Sequence, residues 1–282
     1  MLEKNALFHC LYLSAAAALW LLLILKFLFC WAQARQELQN PLTFSVLEAF
    51  FMTLLQFSAA LSVICYRVAF IFWVIANAGH IILVLTFSLR FLRKFQLNDV
   101  FATWNVLYGG NMLAAVVAPH FQMQHTAQYI FWIGFLLFLP WYFIAAYRYH
   151  KLPVEPSALP TLCIFAAPFN LSLTAYLSCT AHPNFMLAAL FICLGQGAYF
   201  FVLYHLPKIL RLPFYPSYGA LTFPFVIPAV ALQKFISICN LPNAKLIAVC
   251  NGLILAEQLI AVVMVTYALI RYTQFFLKNV RL

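Results

Sequence analysis

Acid is scarce in this chain: six Asp and Glu residues stand in 282, against sixteen Lys and Arg. Charge of either sign makes up 8% of the residues, while 66% are hydrophobic. A water-soluble domain of this length needs far more charge on its surface, so that class is excluded. C-x-x-C pairs are also missing. Cys10, Cys30, Cys65, Cys163, Cys179, Cys193, Cys239 and Cys250 are scattered, mostly inside apolar runs. They read as small apolar residues, not as a disulfide or metal framework. No H-E-x-x-H occurs and no acid pair stands at helical spacing, so no metal, cofactor or intramembrane enzyme is expected. The histidines lie mainly at the ends of runs. His80, alone inside "ANAGHII", reads as a hydrogen-bonded packing residue. A net charge of +10 would suggest nucleic acid in a soluble protein. Here the basic residues sit in short loops between apolar runs, and no nucleic-acid partner is expected.

Long apolar runs are what the sequence does have. Nine stretches of about 20 residues, long enough to cross a bilayer, lie at about 8–30, 43–64, 67–89, 100–119, 127–147, 158–180, 184–206, 216–236 and 245–275. They are labelled A to I. The fold class they predict is all-α and integral to the membrane, one transmembrane domain over residues 1–282, with the lipid bilayer as its solvent. The loops after A, C, E and G hold Arg35, then Arg90, Arg93 and Lys94, then Arg148 and Lys151, then Lys208 and Arg211. The tail after I adds Arg271, Lys278 and Arg281, whereas the other side holds Lys4, Arg67, Lys234 and Lys245. The positive-inside rule then puts the C-terminus in the cytoplasm of a multi-pass protein of the plasma or bacterial inner membrane.

The spans that rise from the basic side, B, D, F and H, start near 43, 100, 158 and 216, a period of about 58. Their openings are alike: "NPLTF" (40–44), "NDVFATW" (98–104), "EPSALP" (155–160) and "YPSYGALTF" (215–223). Each unit reads as a helical hairpin, up through B, D, F or H and down through C, E, G or I. Helix A is then the falling half of a hairpin whose rising half falls one period ahead of residue 1, and an upstream start is expected.

The rising spans carry the helix breakers. Pro168 lies well inside F, Pro224 and Pro228 inside H, and Gly109, Gly110 and Asn111 inside D. Proline costs a helix interior about 3 kcal/mol. Broken helices at membrane depth are tolerated where they line a water-filled cavity or pack in protein. The rising set therefore reads as an inner ring around a central pore, and the falling set as a lipid-facing ring, although Pro140 is expected to interrupt E. The inner ring offers mild polar groups: Thr103, Asn105, Asn111, Asn170, Ser172, Thr174, Ser178 and Thr222. Such groups solvate an ion without holding it tightly. Glu48, near the entry of B and expected to be hydrated, is the only acid there. Lys234 stands about 16 Å up the helix from Phe223. It reads either as an anion-attracting residue at the outer mouth or as a snorkelling interface lysine.

The chain resembles the tellurite-resistance/dicarboxylate transporter family, which includes slow anion channels and malate transporters. The similar segments are "NPLTFSVLEAFF" opening B, "CIFAAPFNLSLTAYLS" (163–178) in F, "YGALTF" (218–223) in H and "LIRYTQFFLK" (269–278) at the end. The resemblance implies ten helices in five hairpins around a pore, a homotrimer, small inorganic or organic anions as the transported partners, and a phenylalanine gate. That gate falls on Phe223, with Phe225 as the register alternative. Two functions follow: an anion channel gated by Phe223, or a proton-coupled carrier of C4-dicarboxylates such as malate. The carrier needs a titratable intramembrane group, for which Glu48 and Glu257 are the candidates. For Glu257 the structural alternative is pairing, with Gln258, across a subunit contact.

Overall fold

The computed structural model describes residues 6–239 and 243–280, with the side chains of 13–239 and 243–278. Lys4 and Arg281, counted above among the loop charges, lie outside the described residues. Every regular element among those described is helical. Run A is α1 (Ala6–Phe29), followed after a 104° bend by α2 (Trp31–Glu37). Seven helices are long and apolar enough to cross a membrane, and the bent α1–α2 pair counts as an eighth when taken as one span. The remaining run, D, is divided into pieces too short for that test.

Every rising span is broken near its middle. B is α3 (Pro41–Val46) and α4 (Glu48–Leu61), with Leu47 between them. Asn40 caps α3 by accepting from the Leu42 N–H at 2.8 Å, and Pro41 occupies the first helical position, where its missing N–H costs nothing. D is α6 (Thr103–Gly109), α7 (Met112–Val117) and a 3-10 turn, Ala118–Phe121. F is a 3-10 helix, Leu159–Ala166, then α9 (Pro168–Cys179). H is a 3-10 helix, Pro216–Leu221, then α11 (Phe223–Ile238). Pro168 and Pro224 each fall in the first turn of a restarting helix, so they end the 3-10 stretch without leaving a hole in the α-helical ladder.

The falling spans are continuous: α5 (Tyr66–Phe87), α8 (Gln124–Lys151), α10 (Phe185–Leu210) and α12 (Ala244–Val280). Contrary to the sequence expectation, Pro140 does not interrupt its helix; α8 runs through it. One proline removes one backbone bond, and in an apolar medium no water competes for the turns on either side.

B packs on D, D on F, and F on H. Hydrogen bonds between these neighbours join residues close to one repeat apart: Ser45 Oγ to Thr103 Oγ1 at 2.7 Å, Ser62 Oγ with His120 Nδ1 at 3.3 Å, and Ser217 Oγ to the Ser157 carbonyl at 2.5 Å. F forms the centre, with 94% of its most apolar window buried, against 22% for α8. The falling helices α8, α10 and α12 present Ile133, Leu136, Phe143, Phe200, Leu259 and Val263 outward. So large an exposed apolar surface belongs against lipid.

Candidate functional site

The rising helices enclose a cavity of about 580 Å³. Thr43, Val46, Ala49 and Met52 line it from B; Thr103, Val106, Gly109 and Met112 from D. F contributes Thr161, Ile164 and Ala167, and H contributes Pro216, Gly219 and Thr222, with Ser217, Ala220 and Phe223 alongside. Lining residues thus recur every third position. A 3-10 helix has three residues per turn, so in F and H each set forms a straight stripe parallel to the helix axis. Leu13 and Ala16 of α1 also reach the cavity, so this falling helix is not confined to the lipid side.

Among the described residues no acidic or basic side chain lines the cavity. Its polar groups are hydroxyls and amides, among them Thr53, Gln56 and Asn105. Asn105 is buried, and neither its amide nitrogen nor its oxygen has a protein partner. The restarting halves α4, α7, α9 and α11 begin at this wall: Ala49, Met112, Pro168 and Phe223 lie in their first turns and all face the cavity. A helix start carries partial positive charge. The first turns of α7, α9 and α11 hold no acid to offset it.

Phe223 is the first residue of α11 and lies on the cavity wall. Phe225 points away; it is fully buried, its ring 6.0 Å from that of Tyr199 in α10. Pro168, Pro224, Gly109 and Gly110 line the cavity, whereas Pro228 is buried inside α11. Of the eight polar positions singled out from the sequence, Thr103, Asn105 and Thr222 line the cavity, the Thr222 hydroxyl donating to the Gly219 carbonyl at 2.7 Å. Asn170 turns the other way. Its amide donates to the Ala166 carbonyl at 2.8 Å, and its oxygen packs so close to Gly195 of α10 that an added Cβ would lie 2.5 Å from it. Thr174 is buried and bonds the Asn170 carbonyl at 2.9 Å, while Asn111 stands off the cavity. Lys234 is half-buried, donates to Ser178 Oγ of α9, and does not line the cavity.

The two acids differ from their sequence reading. Glu48 is not hydrated: it is fully buried and its carboxylate lies 2.9 Å from His80 Nδ1 of α5. His80 therefore packs against a carboxyl group that is 32 positions away in sequence. Glu257 is 1% exposed within the single chain and does not wait on a neighbouring copy for burial. Gln196 and Tyr199 of α10 stand beside it, with the Gln196 side chain directed at its carboxyl group. Thr161, Ser217 and Tyr272 were not singled out from the sequence. Thr161 and Gly219 follow Thr103 by one and two periods of 58, so the repeat carried a signal for them. Tyr272, from α12, had none; its hydroxyl donates to the Pro216 carbonyl at the start of H.

A family model described as voltage-dependent anion channel (SLAC1) matches residues 4–271. No curated protein matches the chain. The family match takes in the first eight runs and the ninth as far as Arg271, so it covers every cavity-lining residue but Tyr272. The chain belongs to the voltage-dependent anion channel family.

Proposed function

We propose that small anions pass through the central cavity and that Phe223 plugs it. The observation that carries this reading is the convergence of three helix starts without an acid in their first turns, α7, α9 and α11, on a cavity whose described lining holds no acid, with Phe223 at one of them. Partial positive charge from backbone dipoles favours an anion without binding it as tightly as a lysine would. The phenylalanine ring supplies an apolar constriction that resists wetting. The Thr222–Phe223 link is a joint between a 3-10 and an α segment, with Thr222 at φ −101° and ψ −95°, so the plug sits where the backbone changes course. The working unit is a homotrimer of single-domain chains in the plasma or bacterial inner membrane, with the C-terminus in the cytoplasm. The excess of basic residues at one end supports that orientation. In liposomes under an imposed voltage, Phe223→Ala raises anion flux. Unchanged flux from a correctly folded variant removes Phe223 from the gate.

A second reading, a proton-coupled carrier of C4-dicarboxylates such as malate, is favoured by Glu257. Its buried carboxyl group, with Gln196 and Tyr199 beside it, lies behind the gate helix, and Tyr199 touches Phe225 of that helix. Under this reading a pH gradient drives malate uptake without a voltage, and Glu257→Gln abolishes it. Flux that follows voltage alone, unaffected by Glu257→Gln and Glu48→Gln, eliminates the carrier.

A further inference from the structure

A second cavity, of about 510 Å³, lies outside the ring at the basic end of the bundle, between the last turns of α8 and α10. Its rim carries four basic side chains: His150 and Lys151 from α8, His205 and Lys208 from α10. The apolar part of its lining is Leu152, Pro153, Val154, Leu159, Leu162 and Ile209, with Tyr149 beside them. No acid lines it. Glu155, the nearest acid along the chain, is exposed and turned to Ser157, whose hydroxyl donates to it at 3.5 Å. His205 bonds the Phe201 carbonyl through Nδ1 at 3.0 Å.

We infer that this cavity seats an anionic phospholipid, its phosphate among Lys151, Lys208 and the two histidines and its first acyl carbons against the apolar interior. Three features select that occupant. α8 and α10 are lipid-facing helices, with Leu136, Phe143, Phe200 and Tyr204 exposed along them, so the cavity opens where lipid is already present. Four basic groups from two helices converge there, and basic pockets between spans at this end of a membrane protein suit acidic headgroups. A purely ionic site would not need a wall of six apolar residues; an amphiphile uses both halves. The lipid would also bridge the loop that enters F, since Leu159 and Leu162 belong to the 3-10 half of that span. The inference rests on the chain's place in the bilayer and not on the gate, so it stands or falls separately from Phe223.

The full chain in neutral detergent, titrated with phosphatidylglycerol, phosphatidylcholine or inorganic phosphate and weighed by native mass spectrometry, tests it. Phosphatidylglycerol is expected to be retained in preference to phosphatidylcholine, and inorganic phosphate to compete poorly. Lys151→Gln with Lys208→Gln is expected to weaken retention roughly 30-fold, about fivefold per lysine at an anionic surface. Arg90→Gln with Lys94→Gln, on the same end but outside the cavity, leaves it within about twofold of the parent under the same per-charge scale. Equal loss in both pairs, equal retention of the two lipids, or full competition by inorganic phosphate overturns the inference. So does a change of oligomeric mass on Lys151→Gln/Lys208→Gln that occurs without any lipid dependence, which would mean a second copy covers the cavity.

Discussion

Ser45 donates its hydroxyl to Thr103 Oγ1 at 2.7 Å, and the two residues are 58 positions apart. Both are fully buried. They occupy equivalent heights on two successive rising spans, so the bond records the repeat as a physical contact between its units.

Removing that bond tests how tightly the staves are joined. Ser45→Ala and Thr103→Val are each expected to cost about 1 kcal/mol, the net contribution of a buried hydrogen bond. The double variant should cost little more than either single one, because the partner's unsatisfied hydroxyl disappears too. Thermal unfolding in detergent reads the result; full additivity would show that the two side chains act independently.

Phe223 and Phe225 lie two positions apart and face opposite ways. Phe225→Ala is expected to lose about 3–5 kcal/mol of stability, as for a buried aromatic, without raising flux. Phe223→Ala should do the reverse, since its ring contacts a cavity and leaves no new void in the core. Paired measurement of unfolding temperature and anion flux separates the two. A flux gain from Phe225→Ala alone would transfer the gate to the other ring.

Gly195 lets α10 approach α9. Its Cβ position is 2.5 Å from Asn170 Oδ1, so Gly195→Ala forces the helices apart and is expected to cost about 1–3 kcal/mol. Shortening the opposing side chain, in Gly195→Ala/Asn170→Ala, should recover part of that. The double variant's unfolding temperature checks it: failure to recover would place the strain elsewhere.

Glu48 and His80 form a buried pair behind the pore wall. His80→Ala leaves an uncompensated carboxylate and is expected to cost about 3–5 kcal/mol. Glu48→Leu/His80→Leu, which removes both polar groups, should be markedly less damaging. Comparable unfolding temperatures for the single and double variants would show that the pair contributes nothing.

The hairpins, their neighbours and their inner and outer faces were legible because they rest on period and composition. The breaks in F and H were legible through Pro168 and Pro224, and that in D through Gly109 and Gly110. The break at Leu47 was not, since no proline or glycine marks it. Side-chain direction was the larger difficulty. Asn170 and Thr174 are as polar as Thr222, but a polar residue in a crowded helix serves either a cavity or a neighbour. Which one depends on what faces it, and the glycine that receives Asn170 lies 25 positions further on. The Glu48–His80 pair was hidden for the same reason: its two halves sit on different helices, 32 positions apart.

The straight stripes on F and H have a mechanical corollary. Eight residues of 3-10 helix span about 16 Å, and the same eight as α-helix about 12 Å. Rewinding Leu159–Ala166 would therefore shorten that stave by about 4 Å and swing each later residue round the axis, about 20° further at every step. Thr161, Ile164 and Ala167 would no longer fall in line. The stripe would wind round the helix axis, Thr161 turning least and Ala167 most, so this half of the wall would peel from the cavity progressively along its length.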